Sequence, residues 1–331
     1  MNNGLRKNTT SKKIIFLSVS NHLKYNMAKI ISITGDLGSG KSTVSNLLCK
    51  QLGYDYIHTG KIQREIADRY NMTTLELNKY SDTHPEIDEE IDATFKSLNE
   101  STHLIADSRL AWFFIPKSFK VFLKTNLILS ANRIFDDNKR AKEKYASRED
   151  AVNKIIARKE SENKRYLEIY GATCSDLSGF NLIIDTSFIT PERVADIILT
   201  EYNIWLVSNE CSKSFISPTN LYPTQSIHSF ESEYFKKLKN NMKTNGYDFD
   251  FPVIAVNINS FDYIFDGHKR TSCAIQNNID LIPIVFQNAN SCFSERLTYK
   301  EAILNSIKLN LFSDWEDFNS FRYLIYPTIQ D

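Results

Sequence analysis

The fold is decided by one stretch near the start of the chain, Ile30-Ile31-Ser32-Ile33-Thr34-Gly35-Asp36-Leu37-Gly38-Ser39-Gly40-Lys41-Ser42-Thr43. It matches the pattern G-x-x-x-x-G-K-[ST], with a strand-like apolar run before the pattern and a helical pattern after it. Glycines let backbone N–H groups turn inward toward phosphate oxygens, and the start of the next helix adds positive potential. A chance glycine turn is the alternative, and the agreement of motif and context argues against it. The sequence therefore predicts a nucleoside triphosphate site formed by Gly35, Asp36, Leu37, Gly38, Ser39, Gly40, Lys41, Ser42 and Thr43.

Two side chains of this stretch have predicted chemical roles. The Lys41 ammonium is expected to reach the β- and γ-phosphates and to act in catalysis. The Ser42 hydroxyl is expected to ligate Mg²⁺.

Length and composition bound the remaining possibilities. The chain has 331 residues, which favours two domains, and an apolar content of 42% supports hydrophobic cores. Basic and acidic residues balance at 40 each, so charge gives no general reason to expect a nucleic acid or a membrane as partner. Neither a nucleic acid nor an oligomer is excluded. Five scattered cysteines without a C-x-x-C pair argue against a zinc site and a disulfide framework, so we expect a cytoplasmic protein.

The first 202 residues divide into an extension and an α/β pattern. Residues 1–26 are basic with one short apolar run, and we interpret them as a disordered extension before a second methionine, Met27. From residue 27 to 202, strand-like and helix-like patterns alternate, which is typical of a P-loop NTPase-type parallel sheet flanked by helices. Predicted strands lie at 29–34, 54–57, 103–107, 119–123 and 182–185, and predicted helices at 41–52, 60–70, 127–138, 147–169 and 191–202.

Several short motifs follow one another in this region. After the glycine loop come His58-Thr59-Gly60 with Arg64-Glu65, Pro85-Glu86-Ile87-Asp88, Asp107-Ser108-Arg109-Leu110-Ala111, Arg158 through Arg165-Tyr166, Ile169-Tyr170-Gly171 and Ile184-Asp185-Thr186-Ser187. With these motifs residues 27–202 resemble a cytidylate kinase, and more closely the compact archaeal-type branch of that family. The resemblance implies transfer of a phosphoryl group from ATP to (d)CMP, giving (d)CDP, with Mg²⁺.

Arginines are the expected catalytic signature of such a kinase. The acceptor is a phosphate oxygen that is already anionic, so the enzyme needs cations rather than a general base. The resemblance implies that Arg109 and Arg64 bind the acceptor phosphate, that Gly60 and Asp107 lie in the acceptor site, and that Arg133 lies in the ATP site. Asp107 is also expected to hold the Mg²⁺ shell or acceptor groups. For Arg64 and Arg109 the alternative is a surface ion pair.

A charged helical segment carries the other two predicted catalytic arginines. Arg158 and Arg165 are seven positions apart and therefore share a helix face, which in the family belongs to a lid over the triphosphate. The alternative is a solvated helix with i,i+4 ion pairs. Lys61, Ser108 and Trp112 depart from the family pattern at the expected base site.

The remainder of the chain predicts a second, smaller domain. Residues 203–216 are polar without periodicity, which predicts a linker. Residues 217–290 resemble the ParB/sulfiredoxin-like α+β fold, and 291–331 are expected to form a helical tail. A strand-to-helix turn there, with Asp266, His268 and Arg270, predicts an anion site for a second nucleotide. A plain strand-turn-helix corner is the alternative.

These patterns together predict a two-domain phosphotransferase with a nucleotide-binding or regulatory C-terminal module. Two alternatives remain open: a nucleotide-sensing or DNA-partition-type regulator, and a P-loop kinase of another small acceptor. The regulator would carry a basic helix-turn-helix after the ParB-like part, and residues 287–331 show no clear one.

Overall fold

The computed structural model describes residues 29–72, 74–81, 83–98, 103–137, 145–174, 176–227, 232–308 and 310–327. The predicted N-terminal extension and Met27 lie outside the described residues. The strands are β1 Lys29–Gly35, β2 Asp55–His58, β3 His103–Asp107, β4 Phe119–Lys124, β5 Leu182–Asp185, β6 Lys213–Ile216, β7 Leu221–Tyr222, β8 Val253–Ile258, β9 Phe261–Asp266 and β10 Ile282–Gln287.

The helices alternate with the strands through the first two thirds of the chain. They are α1 Lys41–Leu52, α2 Thr59–Arg69, α3 Thr74–Ser81, α4 Pro85–Lys96, α5 Ala111–Phe114, α6 Leu127–Phe135, α7 Arg148–Tyr170, α8 Pro191–Ser208, α9 Glu233–Asn245, α10 His268–Gln276, α11 Tyr299–Ser306 and α12 Leu311–Asn319.

All the named strands belong to one sheet. Within the described residues the order is β2-β3-β1-β4-β5-β6-β10-β8-β9-β7. Neighbouring strands from β2 to β6 are parallel, whereas β10 is antiparallel to β6 and β9 is antiparallel to β8. The predicted mostly parallel sheet flanked by helices is thus confirmed. Ile33 pairs with Asp107 and Gly35 with Leu123, so the carboxyl ends of β1, β3 and β4 lie side by side.

The central strand β1 is buried on both faces, as its unbroken apolar and small-residue run requires. Ile31 and Ile33 pack with α1 and α8, whereas Ile30 packs with α2 to α5. Helices on both faces therefore fix the strand that delivers the glycine loop. The buried cluster that contains Ile31 and Ile33 also contains the fully buried side chains of Leu48, Ile105, Leu182 and Ile198.

The prediction of a linker at residues 203–216 is wrong. Helix α8 continues to Ser208, and Lys213–Ile216 form β6, which joins β5 to β10. The helix continues because Tyr202 and Trp205, three positions apart, both face the core, with Trp205 5.4 Å from the ring of Phe119. The apolar run Ile204-Trp205-Leu206-Val207 carried a signal for this continuation, and only residues 208–213 after it are uniformly polar or small.

The second part of the chain shares a core with the first part. Phe122, Phe180 and Ile183 from around β4 and β5 belong to the same buried cluster as Ile264 of β9 and Trp315 of α12. Strands β7 to β10 continue the same sheet. The predicted boundary between two domains is therefore crossed by strand pairing and by a common apolar core.

Candidate functional site

The phosphate loop is a tight turn between β1 and α1. A Cβ at Gly35 would lie 2.2 Å from the Leu123 carbonyl oxygen, and one at Gly38, whose φ is 71°, would lie 2.8 Å from the Ser130 carbonyl oxygen. The Asp36 N–H donates to the same Leu123 oxygen at 2.9 Å. Glycines are required because the loop lies directly against β4 and α6.

Charged and hydroxyl groups of the loop are ordered by the loop itself. The Lys41 ammonium donates to the carbonyls of Gly35 and Asp36 at 2.9 and 2.8 Å. The Ser39 hydroxyl is buried and donates to Asp36 O at 2.8 Å, and Leu37 O accepts from the Ser130 hydroxyl. Gly40 is the N-cap of α1, and Thr43 is exposed in its first turn. The predicted loop residues are thus assembled around one ammonium group.

A carboxylate from β3 faces the start of α1. The Ser42 hydroxyl donates to Asp107 Oδ2 at 3.3 Å, and the Tyr56 hydroxyl donates to the same oxygen at 2.8 Å. Burial and the Asp107 charge raise the pKa of Tyr56, so the phenol stays a donor. Mg²⁺ in phosphate sites takes one or two protein oxygens with waters and phosphates, and Ser42 with Asp107 fits that donor set.

The described part of the chain has no metal site formed by protein side chains alone. No group of three or more His, Cys, Asp or Glu side chains there could hold an ion. A cation at Ser42 and Asp107 would therefore need phosphate oxygens to complete its coordination.

Arg109 and Arg158 meet on one carboxylate. Arg109 Nε lies 3.0 Å from Glu162 Oε2, and Arg158 Nε lies 2.8 Å from Glu162 Oε1. Arg109 also donates from Nη1 to the Gly35 carbonyl of the phosphate loop. The structure therefore brings the predicted acceptor arginine and one predicted lid arginine together beside the loop, through a glutamate that the motifs did not single out.

Arg64 lies near the ends of β2 and β3. A Cβ at Gly60 would be 3.6 Å from Arg64 Nη1 and 3.3 Å from His58 Nδ1, so the guanidinium approaches the bare backbone of Gly60. His58 pairs in register with Asp107. Burial, followed by the Arg64 charge, lowers the pKa of His58. Arg64, Gly60 and Asp107 are thus gathered at one edge of the sheet.

Arg165 has a different environment from Arg158. Its guanidinium lies 5.5 Å from the centre of the Tyr166 ring on its own helix. The two arginines lie on the same helix, but in this conformation Arg158 binds Glu162 and Arg165 covers a tyrosine.

Arg133 fastens the loop after β5 to the phosphate loop. It donates to Gly38 O at 3.2 Å, to Thr186 O at 2.8 Å and to Ser187 O at 3.0 Å. Burial lowers the pKa of Arg133, opposed by the charge of Asp185. The predicted ATP-site arginine therefore acts here as a clamp between two loops.

Asp36 joins three segments. Its carboxylate accepts from the Thr125 N–H at 3.1 Å and pairs with Lys159 of α7 at 3.3 Å. Burial raises the pKa of Asp36, but the Lys159 and Lys124 charges and the Thr125 hydrogen bond hold it below the ordinary value. Lys159 also reaches Ser260 at 3.3 Å.

The predicted second anion site has a more closed geometry than expected. His268 is buried, and its Nε2 accepts from the Thr224 N–H at 3.0 Å. Arg270 pairs with Asp266 at 2.9 Å and donates to Pro252 O at 3.2 Å. Burial lowers the pKa of His268 to about 4, opposed by Asp266, so the imidazole is a neutral acceptor inside the fold.

Sequence reasoning missed Tyr56, Glu162 and Lys159, and also Asn220, whose side chain donates to Asp185 Oδ2 at 2.7 Å. Glu162 had a usable signal, since it lies four positions after Arg158. The others had none, because their partners are distant in sequence. In the described residues no helix is both long enough and apolar enough to cross a membrane.

A phosphate loop that faces arginines from two other segments, with a serine and an aspartate at its helix end, defines a P-loop phosphotransferase. The chain belongs to the cytidylate kinase-like family, whose sequence model matches residues 30–188. It is similar to the cytidylate kinase of Sulfolobus acidocaldarius, with 38% identity over 172 residues, which are 51% of this chain and 91% of that protein. It is also similar to the cytidylate kinase of Sulfurisphaera tokodaii, with 36% identity over 183 residues, 54% of this chain and 98% of that protein.

Among solved structures, the shikimate kinase of Acinetobacter baumannii aligns with a TM-score of 0.38 at 17% identity, over 55% of this chain and 95% of that chain. The family and its relatives make the protein a (d)CMP kinase-like phosphotransferase, with ATP as donor and a nucleoside monophosphate as acceptor.

Proposed function

We propose that this protein transfers the γ-phosphoryl group of ATP to CMP or dCMP, giving the nucleoside diphosphate. The observation that carries the proposal is the contact of Arg109 with the Gly35 carbonyl of the phosphate loop, beside Glu162 and Arg158. That contact places a guanidinium next to the loop that cradles the donor phosphates. Support for cytidylate as acceptor comes from the relatives, which are named cytidylate kinases.

Each group of the site has a task in this reaction. Lys41 neutralises charge on the β- and γ-phosphates, and the loop N–H groups bind their oxygens. Arg109 and Arg64 bind the acceptor phosphate, so that two polyanions can approach each other. Arg158 and Arg165 on α7 bind the transferred phosphoryl group from the lid side.

The residues present fit a magnesium ion. Ser42 and Asp107 would hold it, and the ion would neutralise phosphate charge when bound. Tyr56 orients the carboxylate by its hydrogen bond to Oδ2. No general base is required, because the acceptor oxygen is already anionic.

The decisive experiment is a coupled assay of ADP release with ATP, Mg²⁺ and a panel of CMP, dCMP, UMP, AMP and GMP. We expect the highest kcat/KM with CMP or dCMP, and none with the Lys41→Ala variant. Turnover with shikimate or another non-nucleotide acceptor, and none with any nucleoside monophosphate, would refute the proposal in favour of a kinase of another small acceptor.

The turn at Asp266, His268 and Arg270 is the candidate for a second nucleotide site, and the structure has features for and against it. The ParB-like resemblance and the turn at Asp266, His268 and Arg270 support it, whereas the burial of His268 and the pairing of Arg270 with Asp266 count against it. Calorimetric titration of CTP, CDP and ATP into the Lys41→Ala chain, with and without Arg270→Ala, tests it. Binding that Arg270→Ala does not change would leave the turn as a structural corner and would also remove support for a nucleotide-sensing regulator.

A further inference from the structure

Asp185, at the end of β5, is buried and receives hydrogen bonds from two parts of the chain, the kinase half at residues 29–202 and the second half at residues 203–327. Its Oδ1 accepts from the Ser187 N–H at 2.9 Å. Its Oδ2 accepts from the Ser217 N–H at 3.2 Å and from Asn220 Nδ2 at 2.7 Å. A carboxylate removed from water is tolerated only when donors satisfy its oxygens. Residues of the second half therefore complete the surroundings of this carboxylate.

Asn220 also reaches the kinase half at two other points. Its Nδ2 lies 2.9 Å from Ser187 Oγ, and its Oδ1 accepts from Asn126 Nδ2 at 3.1 Å. Asn126 is the N-cap of α6, where its side chain accepts from the Ile128 N–H at 3.0 Å. The same helix carries Arg133, which binds Ser187 O and the phosphate-loop carbonyl of Gly38. A chain of hydrogen bonds thus leads from Asn220 to the phosphate loop.

A second connection runs through the turn between β8 and β9. Ser260, with φ 72°, follows Asn259, with φ 51°, as in a tight hairpin turn. Lys159 of the lid helix α7 donates to Ser260 Oγ and to Asp36 Oδ1, each at 3.3 Å. Lys124, at the end of β4, pairs with Asp262 of β9. Two cations of the kinase half are therefore held by acceptors from the second half.

These contacts lie on one side of the phosphate loop. In the sheet, β2 and β3 lie on one side of β1, and β4 and β5 lie on the other. The acceptor candidates Arg64 and Asp107 belong to the β2–β3 side, whereas Asn220 contacts the ends of β4 and β5. The phosphate loop follows β1, which lies between these two sides, so the β4–β5 side is the one left for the donor nucleoside when the acceptor occupies the β2–β3 side.

From this arrangement we infer that Asn220 of the second half is a positioning residue for the donor nucleotide. It fixes the Asp185–Ser187 loop and the start of α6, and through Arg133 it fixes the phosphate loop. The family model matches residues 30–188, so Asn220 lies outside the matched region. The inference depends on the proposed function only for the identity of the acceptor.

The test is Asn220→Ala in the full-length chain, with ATP affinity measured by calorimetry and with KM measured separately for ATP and for CMP. We expect the dissociation constant and the KM for ATP to rise about tenfold, which corresponds to about 1.4 kcal/mol. The KM for CMP should change less than about twofold, because Arg64 and Arg109 are untouched. Asn220→Ser keeps a short hydrogen-bond donor, so the dissociation constant and the KM for ATP should rise less than in Asn220→Ala. The serine variant replaces the alanine variant if the alanine variant does not fold.

Asn277→Ala is the matched control. Asn277 is half-buried in the second half, and its side chain donates to Lys239 O and Cys273 O, which join α9 to α10. Its loss should lower the melting temperature without changing ATP affinity. Unchanged ATP affinity in Asn220→Ala, or an equal rise of both KM values, would overturn the inference. Wild-type protein that binds ATP but phosphorylates no nucleoside monophosphate would overturn the proposed function, while the calorimetric comparison would still decide the role of Asn220.

Discussion

The buried ion pair between Lys124 and Asp262 gives the sharpest prediction about stability. The Lys124 side chain is 14% exposed and the Asp262 side chain 4% exposed, and the second carboxylate oxygen of Asp262 accepts from Asn257 at 2.6 Å. Asp262→Asn keeps the shape and the hydrogen bond from Asn257, if the amide oxygen faces it, but removes the negative charge. Lys124 would then be a buried cation without its partner.

The expected cost follows from the burial of the pair. Removing one partner of a buried pair typically costs about 3–5 kcal/mol, because the other charge stays desolvated. Lys124 also lies near Asp36, whose pKa its charge helps to lower, so that carboxylate offsets part of the loss. We therefore expect the free energy of unfolding to fall by about 3 kcal/mol. Lys124→Met combined with Asp262→Asn should cost clearly less than the sum of the two single variants.

The measurement is urea unfolding followed by circular dichroism, in parallel with an exposed ion pair. Asp317→Asn breaks a pair with Arg322 in which both side chains are more than half exposed, at 69% and 66%, so its effect should stay within about 1 kcal/mol. An Asp262→Asn variant as stable as this control would refute the reasoning. That result would mean that the Lys124–Asp262 pair does not stabilise the contact between β4 and β9.

The remaining predictions concern catalysis and pH. Lys41→Ala should abolish phosphoryl transfer in the coupled assay with little change in melting temperature, because the ammonium donates to carbonyls of the surface loop and is not part of an apolar core. Near-normal turnover would contradict the phosphate-loop assignment. Arg109→Ala should lower kcat/KM for the acceptor by about 30- to 1000-fold, or roughly 2–4 kcal/mol. The control Arg148→Ala breaks the exposed pair with Asp136 and should leave kcat/KM unchanged. If Arg109→Ala lowers only the stability of the protein, Arg109 has a structural role. Burial lowers the pKa of His268 to about 4, below the roughly 6.5 of an unfolded chain, so the unfolded state binds a proton that the folded state does not. The free energy of unfolding should therefore fall by up to about 3 kcal/mol between pH 6.5 and pH 4, and His268→Gln should remove this slope, as urea titrations at several pH values would show.

The first half of the fold could be read from local signals. Strands β3 and β5 occupy the predicted residues 103–107 and 182–185, because each is a short buried run with clear ends. Helix α8 did not end where predicted, since its continuation depends on Trp205 packing against Phe119, which is a tertiary contact. The placement of β6 between β5 and β10 is likewise set by partners far away in sequence.

The candidate site likewise contains residues that a local motif predicts and residues that only tertiary contacts bring together. The glycine loop with Lys41 and Ser42 is a local motif, so the sequence alone could predict its turn between β1 and α1. The roles of Lys41 in phosphate binding and of Ser42 in Mg²⁺ binding stay predictions. The partner of Ser42 is Asp107, at the end of a strand whose register with β1 brings the two together. The contacts of Tyr56 with Asp107 and of Asn220 with Asp185 could not be predicted, because they exist only once separate strands have met.

Glu162 explains how the site can hold two arginines side by side before a phosphate arrives. Guanidinium groups repel each other, and each of the two carboxylate oxygens of Glu162 takes one of them, Arg109 at 3.0 Å and Arg158 at 2.8 Å. A phosphate group offers the same kind of planar pair of oxygens to a guanidinium fork, with more negative charge. Incoming phosphates can therefore take over either arginine by exchange of one anionic partner for another, without exposing an unpaired cation. Because Glu162 lies on α7 and Arg109 contacts the phosphate loop, we expect this exchange to couple the position of α7, the predicted lid, to the occupancy of the site.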